Sequence, residues 1–339
     1  MKNDVLILGI ESSCDETAIS VVKNGREVLS NVVFSQIDVH ALFGGVVPEI
    51  ASRSHAEQID LVYREALAQA KVDISQISAI AVTYGAGLVG ALLVGVSFAK
   101  ALAYATGKPL IAVNHVKGHI CANYLTNPDL NPPFLCLLTS GGHTSIVKVK
   151  TFCDIEVLCS TADDAIGESF DKVARVLHQP YPGGKFIDTL AQQGKPIYPF
   201  KSVVMQNGNF SYSGLKTAVI NLVHNAEQKG EKLNPCDVAC SFNHVAVDGL
   251  IERLKQEIEK QQINTVAIAG GVAANTYLRK KVEELSCVKV FMPELKYCGD
   301  NGAMIASQGY FQYLQGDFAN KNTLNADPTL HLRAEYERK

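Results

Sequence analysis

The chain has 339 residues, long enough for two domains with sizeable cores. Hydrophobic residues make up 47% and charged residues 19%, the balance of an ordinary soluble globular protein. With 31 basic against 34 acidic side chains the net charge is −3, so any RNA partner would need a local basic surface or a second protein.

The nine cysteines include no C-x-x-C pair, and their number is odd. That fits reduced, buried thiols in a cytoplasm better than a disulfide framework. The start, Met1-Lys2-Asn3-Asp4, leads straight into a strand, with no signal peptide in view.

Strands are expected over residues 5–10 and 18–22, joined by the polar turn Glu11-Ser12-Ser13-Cys14-Asp15-Glu16-Thr17 as a hairpin. Apolar residues at helical spacing predict a helix over 49–70. Residues 86–105 are apolar enough to suggest a membrane span, but Ser97 and Lys100 interrupt them, and a buried helix is the expectation. A short strand over 110–113 runs into His115-Val116-Lys117-Gly118-His119 at the mouth of another helix.

A second hairpin follows, with strands over 134–139 and 144–149 around Ser140-Gly141-Gly142-His143. Two such hairpins suggest either an internal duplication or two ordinary turns; glycines and hydroxyls in them would suit a phosphate. Helices are expected over 165–177 and 245–262, and a loop-rich stretch over 179–213. A strand over 265–269 enters Gly270-Gly271 and a helix over 276–285, a natural seat for an anion. The chain after Gly316 reads as a polar, partly mobile tail.

Two histidines four apart on a helix lie about 40° apart around its axis, one turn apart in height. Both imidazoles could reach one metal ion; capping or surface histidines are the alternative. Val116 follows the first histidine, so the His-Glu-x-x-His pattern of zinc proteases is absent. The chain also lacks a Walker motif and a G-x-G-x-x-G fingerprint.

Further runs recur along the chain: Gly45-Val46-Val47-Pro48-Glu49-Ile50-Ala51-Ser52-Arg53, Gly167-Glu168-Ser169-Phe170-Asp171-Lys172-Val173, Tyr181-Pro182-Gly183-Gly184, Phe210-Ser211-Tyr212-Ser213-Gly214-Leu215-Lys216, Val272-Ala273-Ala274-Asn275 and Asp300-Asn301-Gly302-Ala303-Met304. Taken in order with the two hairpin turns and the histidine pair, they resemble the bacterial tRNA N6-adenosine threonylcarbamoyltransferase family, long labelled O-sialoglycoprotein endopeptidases. The resemblance spans roughly residues 5–315.

It implies an α/β fold of the actin-like, Hsp70-like and sugar-kinase-like (ASKHA) type, with two related lobes around a central cleft. We expect residues 1–112 plus about 300–325 in the first lobe, 113–299 in the second, and 326–339 as a tail. The resemblance makes His115, His119 and Asp300 ligands of one divalent metal, Fe2+ first and Zn2+ second. Leu138, Thr139, Ser140, Gly141 and Gly142 would hold an adenylate substrate, with Asp171, Gly184, Asp188 and Asn275 as further contacts. The implied reaction moves a threonylcarbamoyl group from threonylcarbamoyl-AMP to N6 of adenosine 37 in tRNA. Implied partners are tRNA, a shorter subunit of related fold and a small P-loop ATPase, in the cytoplasm and away from membranes.

By their chemistry Glu11 and Asp15 are candidates for a general base or for organising the first loop. Cys14 and Ser140 are expected to bind rather than attack. The chain departs from the family pattern at Gly299, usually Thr; at Ser12, usually Thr; at Ala86, usually Pro; and at Lys117, usually Glu, which is expected to alter the charge beside the metal. A metallo-endopeptidase, an actin-like ATPase and a scaffold subunit are the competing readings.

Overall fold

A computed structural model describes residues 4–286 and 288–332. In chain order the strands and helices are β1 (Leu6–Glu11), β2 (Glu16–Lys23), β3 (Glu27–Ser35), α1 (Ile37–Ala41), α2 (Pro48–Ala70), β4 (Ala79–Gly85), α3 (Val89–Thr106), β5 (Leu110–Asn114), α4 (His115–Thr126), β6 (Phe134–Thr139), β7 (Thr144–Val149), β8 (Ile155–Ser160), α5 (Ile166–Val176), α6 (Gly183–Ala191), α7 (Ser213–Lys229), α8 (Pro235–Gln261), β9 (Thr265–Ala269), α9 (Thr276–Glu283), β10 (Lys289–Phe291) and α10 (Gly302–Leu314).

The chain divides into two compact units. Unit 1 runs to Pro132 and adds Lys150–Ile155 and the chain from Pro293; unit 2 holds Pro133–Val149 and Glu156–Met292. Each unit is built on a five-stranded mixed sheet, ordered β3-β2-β1-β4-β5 in the first and β10-β9-β6-β7-β8 in the second. Counted from its own first strand, each sheet has the order 3-2-1-4-5 or its reverse. Both begin with an antiparallel hairpin, β1–β2 and β6–β7, and continue with parallel pairing, β1–β4 and β6–β9. This shared plan favours duplication over two unrelated hairpins.

In unit 1 the two-residue period of β1 distributes its side chains between two cores. Leu8 and Ile10 join Ile59, Val62 and Val96 of α2 and α3, while Ile7 joins Ala303, Ile305 and Ala306 of α10. Helix α3 is long and apolar enough to cross a membrane by length and composition. Its Leu92, Val96, Ala99 and Ala103 are buried, and Phe98 meets Tyr63 of α2 edge-on at 5.5 Å between ring centroids. The ammonium of Lys100 donates to the carbonyl of Leu324 at 2.8 Å.

Helix α10 lies backbone-close on the sheet. A Cβ on Gly9 would stand 2.3 Å from the Gly302 carbonyl, and one on Gly302 would stand 2.7 Å from Ser20 N. Helix α4 packs on α10 in turn: a Cβ on Gly118 would lie 2.7 Å from Ile305 Cδ1. This packing moves the expected lobe boundary. Of the residues expected in the second lobe, 113–132, 150–155 and 293–299 fall in unit 1, the first of these with α4 seated on α10.

Residues 179–213 are loop-rich as expected, with one helix, α6, whose Ile187 is fully buried, and a second expectation changes. The chain after Gly316 is tied down as far as it is described. Ala319 N donates to Leu110 O at 2.8 Å, Asp327 N donates to Tyr84 O at 2.7 Å, and Leu324 and Leu330 are buried in the core. Residues 333–339 of the expected tail, and residues 1–3 of the expected start, lie outside the described residues.

Candidate metal and nucleotide sites

The first site lies wholly in unit 1. Asn114 caps α4, its side chain accepting from Val116 N at 2.9 Å and Lys117 N at 3.3 Å, which starts the helix with His115. His115 and His119 then share a face, ring centroids 4.7 Å apart. Asn301 caps α10 by accepting from Met304 N at 2.9 Å, and Asp300 stands just before that cap. Asp300 Oδ1 lies 3.1 Å from His119 Nε2 and 3.6 Å from His115 Nε2. One donor atom from each of the three residues falls within 4.8 Å of the others.

Behind His115 is a second layer. Glu11, with no exposed surface, has Oε2 at 3.0 Å from His115 Nδ1. Its carboxylate also accepts from Ser13 N and Thr83 Oγ1, both at 2.6 Å. Ser13 Oγ lies 3.1 Å from the same His115 nitrogen. With Nδ1 engaged by Glu11, Nε2 is the atom left for an ion. Burial lowers the basicity of His115, but Asp300 and Glu11 outweigh it and push the pKa up to about 9. Burial raises Asp300, yet His115 and His119 hold it down to about 2. Two imidazoles and a carboxylate, gathered in one place, are a donor set that fits a divalent ion, and the two carboxylates that hold a proton on His115 would equally favour a metal cation in its place. His119 Nδ1 is buried with no hydrogen-bond partner among the described residues.

The second site lies wholly in unit 2. Ser140 N donates to His143 O at 2.8 Å, and His143 N donates to Ser140 Oγ at 3.1 Å, closing the turn after β6. The start of α5 abuts this turn, since a Cβ on Gly167 would be 2.6 Å from Ser140 O. Gly270, at φ 91°, abuts it too: a Cβ there would be 2.3 Å from Thr139 O. By contrast, a Cβ on Gly141, Gly142, Gly184 or Gly271 would meet nothing within 4 Å among the described residues. Main chain open to one side is what a phosphate or nucleotide needs for close approach.

The helices around the turn are tied to each other. Asp171 Oδ1 accepts from Gly183 N at 2.7 Å, linking α5 to α6. Asp188 accepts from Thr276 N at 3.1 Å and Thr276 Oγ1 at 2.8 Å, linking α6 to α9. Asn275 caps α9 through Leu278 N at 2.9 Å and donates to Asn243 Oδ1 at 3.0 Å.

A family model described as tRNA N6-adenosine threonylcarbamoyltransferase matches residues 27–307. The chain belongs to this family. A threonylcarbamoyltransferase of Caldicellulosiruptor saccharolyticus is 51% identical over 339 residues, covering 98% of this chain and 100% of its own. One from Geobacillus kaustophilus is 52% identical over 338 residues, covering 98% of each chain. Among solved structures, HypF of T. kodakarensis matches with a TM-score of 0.64 at 16% identity, over 95% of this chain and 49% of its own. At that identity the likeness speaks for the fold, which is of the ASKHA type.

Within this threonylcarbamoyltransferase fold the expected ligands His115, His119 and Asp300 come together. Glu11 joins them as the partner of His115, and Asp15 lies buried in the same loop. In unit 2 the contacts expected of Ser140–Gly142, Asp171, Gly184, Asp188 and Asn275 fall on segments that touch. Leu138 and Thr139 differ in kind. Their side chains are fully buried in β6, the strand that leads into Ser140. Lys117, expected to alter the charge beside the metal, is directed away from the histidines. It lies two residues from each histidine, on the far side of α4, and its ammonium donates to Cys153 O at 3.3 Å. Burial, then Asp15, push the Cys14 thiol well up, so thiolate is scarce and a nucleophilic role is disfavoured.

Sequence reasoning missed Ser13 and Thr83, which hold Glu11, and Gly118, which lets α4 approach α10. A glycine between two candidate ligands was the available signal for the last.

Proposed function

We propose that this chain moves a threonylcarbamoyl group from threonylcarbamoyl-AMP to N6 of adenosine 37 in tRNAs that read codons beginning with A. The observation that carries the reading is the convergence of His115, His119 and Asp300, with Glu11 behind His115, in a chain of this family. His115, His119 and Asp300 would hold the ion, iron first and zinc second. Bound there, a divalent ion would supply Lewis-acid chemistry.

The protein's own groups do the rest. In unit 2 the open main chain of Gly141 and Gly142 receives phosphate, and the segment around Gly184, Asp188 and Asn275 receives the adenosine. The N6 lone pair attacks the carbamoyl carbon, the carbon–oxygen bond to phosphate breaks, and AMP leaves with the bonding electrons. N6 gives up one proton. Glu11 is a poor acceptor for it, because Ser13 N, Thr83 Oγ1 and His115 already occupy its oxygens. Of the two candidates this leaves Asp15, whose carboxylate also bonds the side chains of Cys14 and Glu16. AMP is already a good leaving group, so positioning, worth roughly 7–11 kcal/mol, dominates and no covalent enzyme intermediate is needed.

The net charge of −3 makes a composite tRNA surface natural, with a shorter related subunit and a small P-loop ATPase as partners in the cytoplasm. Phosphate contacts make that binding salt-sensitive. The test is mass spectrometry of nucleosides from tRNA incubated with threonine, bicarbonate, ATP and the reconstituted proteins. Threonylcarbamoyladenosine should appear only when this chain is present; equal yield without it would refute the assignment.

A further inference from the structure

The first loop of unit 1 is held by its carbonyls, one after another, from three different elements. Ser13 O accepts from Leu88 N at 2.8 Å, just before α3. Asp15 O accepts from Gln36 N at 3.0 Å, just before α1. Between them, Cys14 O lies 3.0 Å from His55 Nε2 of α2. The other nitrogen of the same ring, Nδ1, lies 2.7 Å from Thr17 Oγ1. His55 has no exposed surface.

These contacts set the ring's state. A carbonyl can only accept, so Nε2 carries the proton; Nδ1 then accepts from the Thr17 hydroxyl. Burial lowers the basicity of His55, with the Cys14 carbonyl and the nearby Glu11 and Asp15 opposing it, so the neutral ring is favoured. One imidazole thus spans the loop from Cys14 to Thr17. The tie also turns the peptide between Cys14 and Asp15, because the C=O and N–H of a trans peptide point in opposite directions.

We propose that His55 is a positioning residue for the metal centre: it clamps the Cys14–Thr17 stretch from α2 and so fixes Ser13 and Glu11, which orient His115. The inference rests on the reading of His115, His119 and Asp300 as metal ligands. His55 touches none of the three. It acts through the loop that carries Ser13 N to Glu11 Oε1 and Ser13 Oγ to His115 Nδ1. A plain packing residue on α2 would stabilise the fold without affecting the ion. A clamp on the loop behind His115 affects the ion specifically.

The test is zinc titration of the full-length, metal-stripped chain against a chromophoric chelator, with melting of the metal-free protein measured alongside. His55→Ala should weaken zinc binding about tenfold to a hundredfold, the range for a lost outer partner of a ligand. His55→Gln, which restores a donor for Cys14 O, should recover most of it. Thr17→Val should weaken binding less, and the double variant should bind no worse than His55→Ala, since both act through one clamp. Zinc affinity within twofold of wild type in His55→Ala, even with a lowered melting temperature, overturns the proposal. So does a double variant whose loss is the product of the two single losses. Should His55→Ala not fold, Thr17→Val decides: weaker zinc binding at an unchanged melting temperature upholds the clamp, and wild-type binding overturns it. Wild-type protein that binds no zinc would remove the metal centre itself, a failure distinct from that of the clamp.

Discussion

Glu11 Oε2 stands 3.0 Å from His115 Nδ1, and the glutamate is sealed from solvent. A carboxylate in that position fixes the ring's orientation and raises its basicity as a ligand. Glu11→Gln keeps the shape and removes the charge. Zinc affinity should fall about tenfold to a hundredfold in a competition titration. Undiminished affinity would mean that Glu11 does not act through His115.

The ligand set makes a sharper contrast. Metal analysis of purified protein should find one ion per chain in wild type and none in His119→Ala or Asp300→Ala. Lys117→Glu should retain its metal in full, because the Lys117 ammonium is directed at Cys153 O and away from the histidines.

The seat of α10 explains a stability effect remote from any ligand. In Gly9→Ala the new methyl group would meet the Gly302 carbonyl at 2.3 Å and Ala306 N at 2.5 Å, both backbone atoms. Urea denaturation should show a loss of about 1–3 kcal/mol or more, the usual penalty for overpacking. Gly299→Thr, at a position where an added Cβ meets nothing within 4 Å, should stay within about 0.5 kcal/mol of wild type.

Glycines of unit 2 should separate folding from binding. Gly270→Ala forces a side chain into φ 91° and against Thr139 O, so it should lower the melting temperature. Gly142→Ala has open space and should melt like wild type, yet raise the KM for the adenylate donor by filling the phosphate's approach. A normal KM in Gly142→Ala would argue against that turn as the phosphate seat.

Acid should weaken unit 2 through Asp164. Burial raises its pKa, but Lys216 and Lys172 outweigh burial and hold the carboxyl below the usual carboxylate range. Lys172 Nζ lies 3.1 Å from Asp164 Oδ1, and Lys216 bonds the other oxygen. A depressed folded-state pKa stabilises the protein above the unfolded value of about 3.9 and loses that contribution as pH falls through the folded value. Asp164→Asn should therefore be less stable than wild type at pH 6, with the gap closing as acid is added in urea melts. A gap independent of pH would refute the ion-pair account.

Much of this arrangement is legible along the chain. The strands of the second hairpin follow from apolar runs bounded by Ser140-Gly141-Gly142-His143, and they form as expected because that turn leaves one register available. The pairing of His115 with His119 needs only the pitch of a helix. The apolar spacing predicts α8 from residue 245, but the helix starts at Pro235, because Asn234 caps it and proline suits the first helical turn. Helix α6 was hidden by the prolines and glycines around it. Its tie to Asp171, twelve residues upstream of Gly183, has no local signature.

Local chemistry along the chain was thus enough to determine the strands, the turns, the histidine pair and the family, because those depend on residues close in sequence or on motifs in order. Tertiary structure alone decided that α4 belongs with unit 1, that Glu11 stands against His115, and that Lys117 meets the Cys153 carbonyl. Each of those outcomes depends on atoms about 100 or more residues apart, such as Gly118 against Ile305 or Glu11 against His115, or on which side of a helix is buried. Periodicity names the face a side chain takes; only packing names its neighbour.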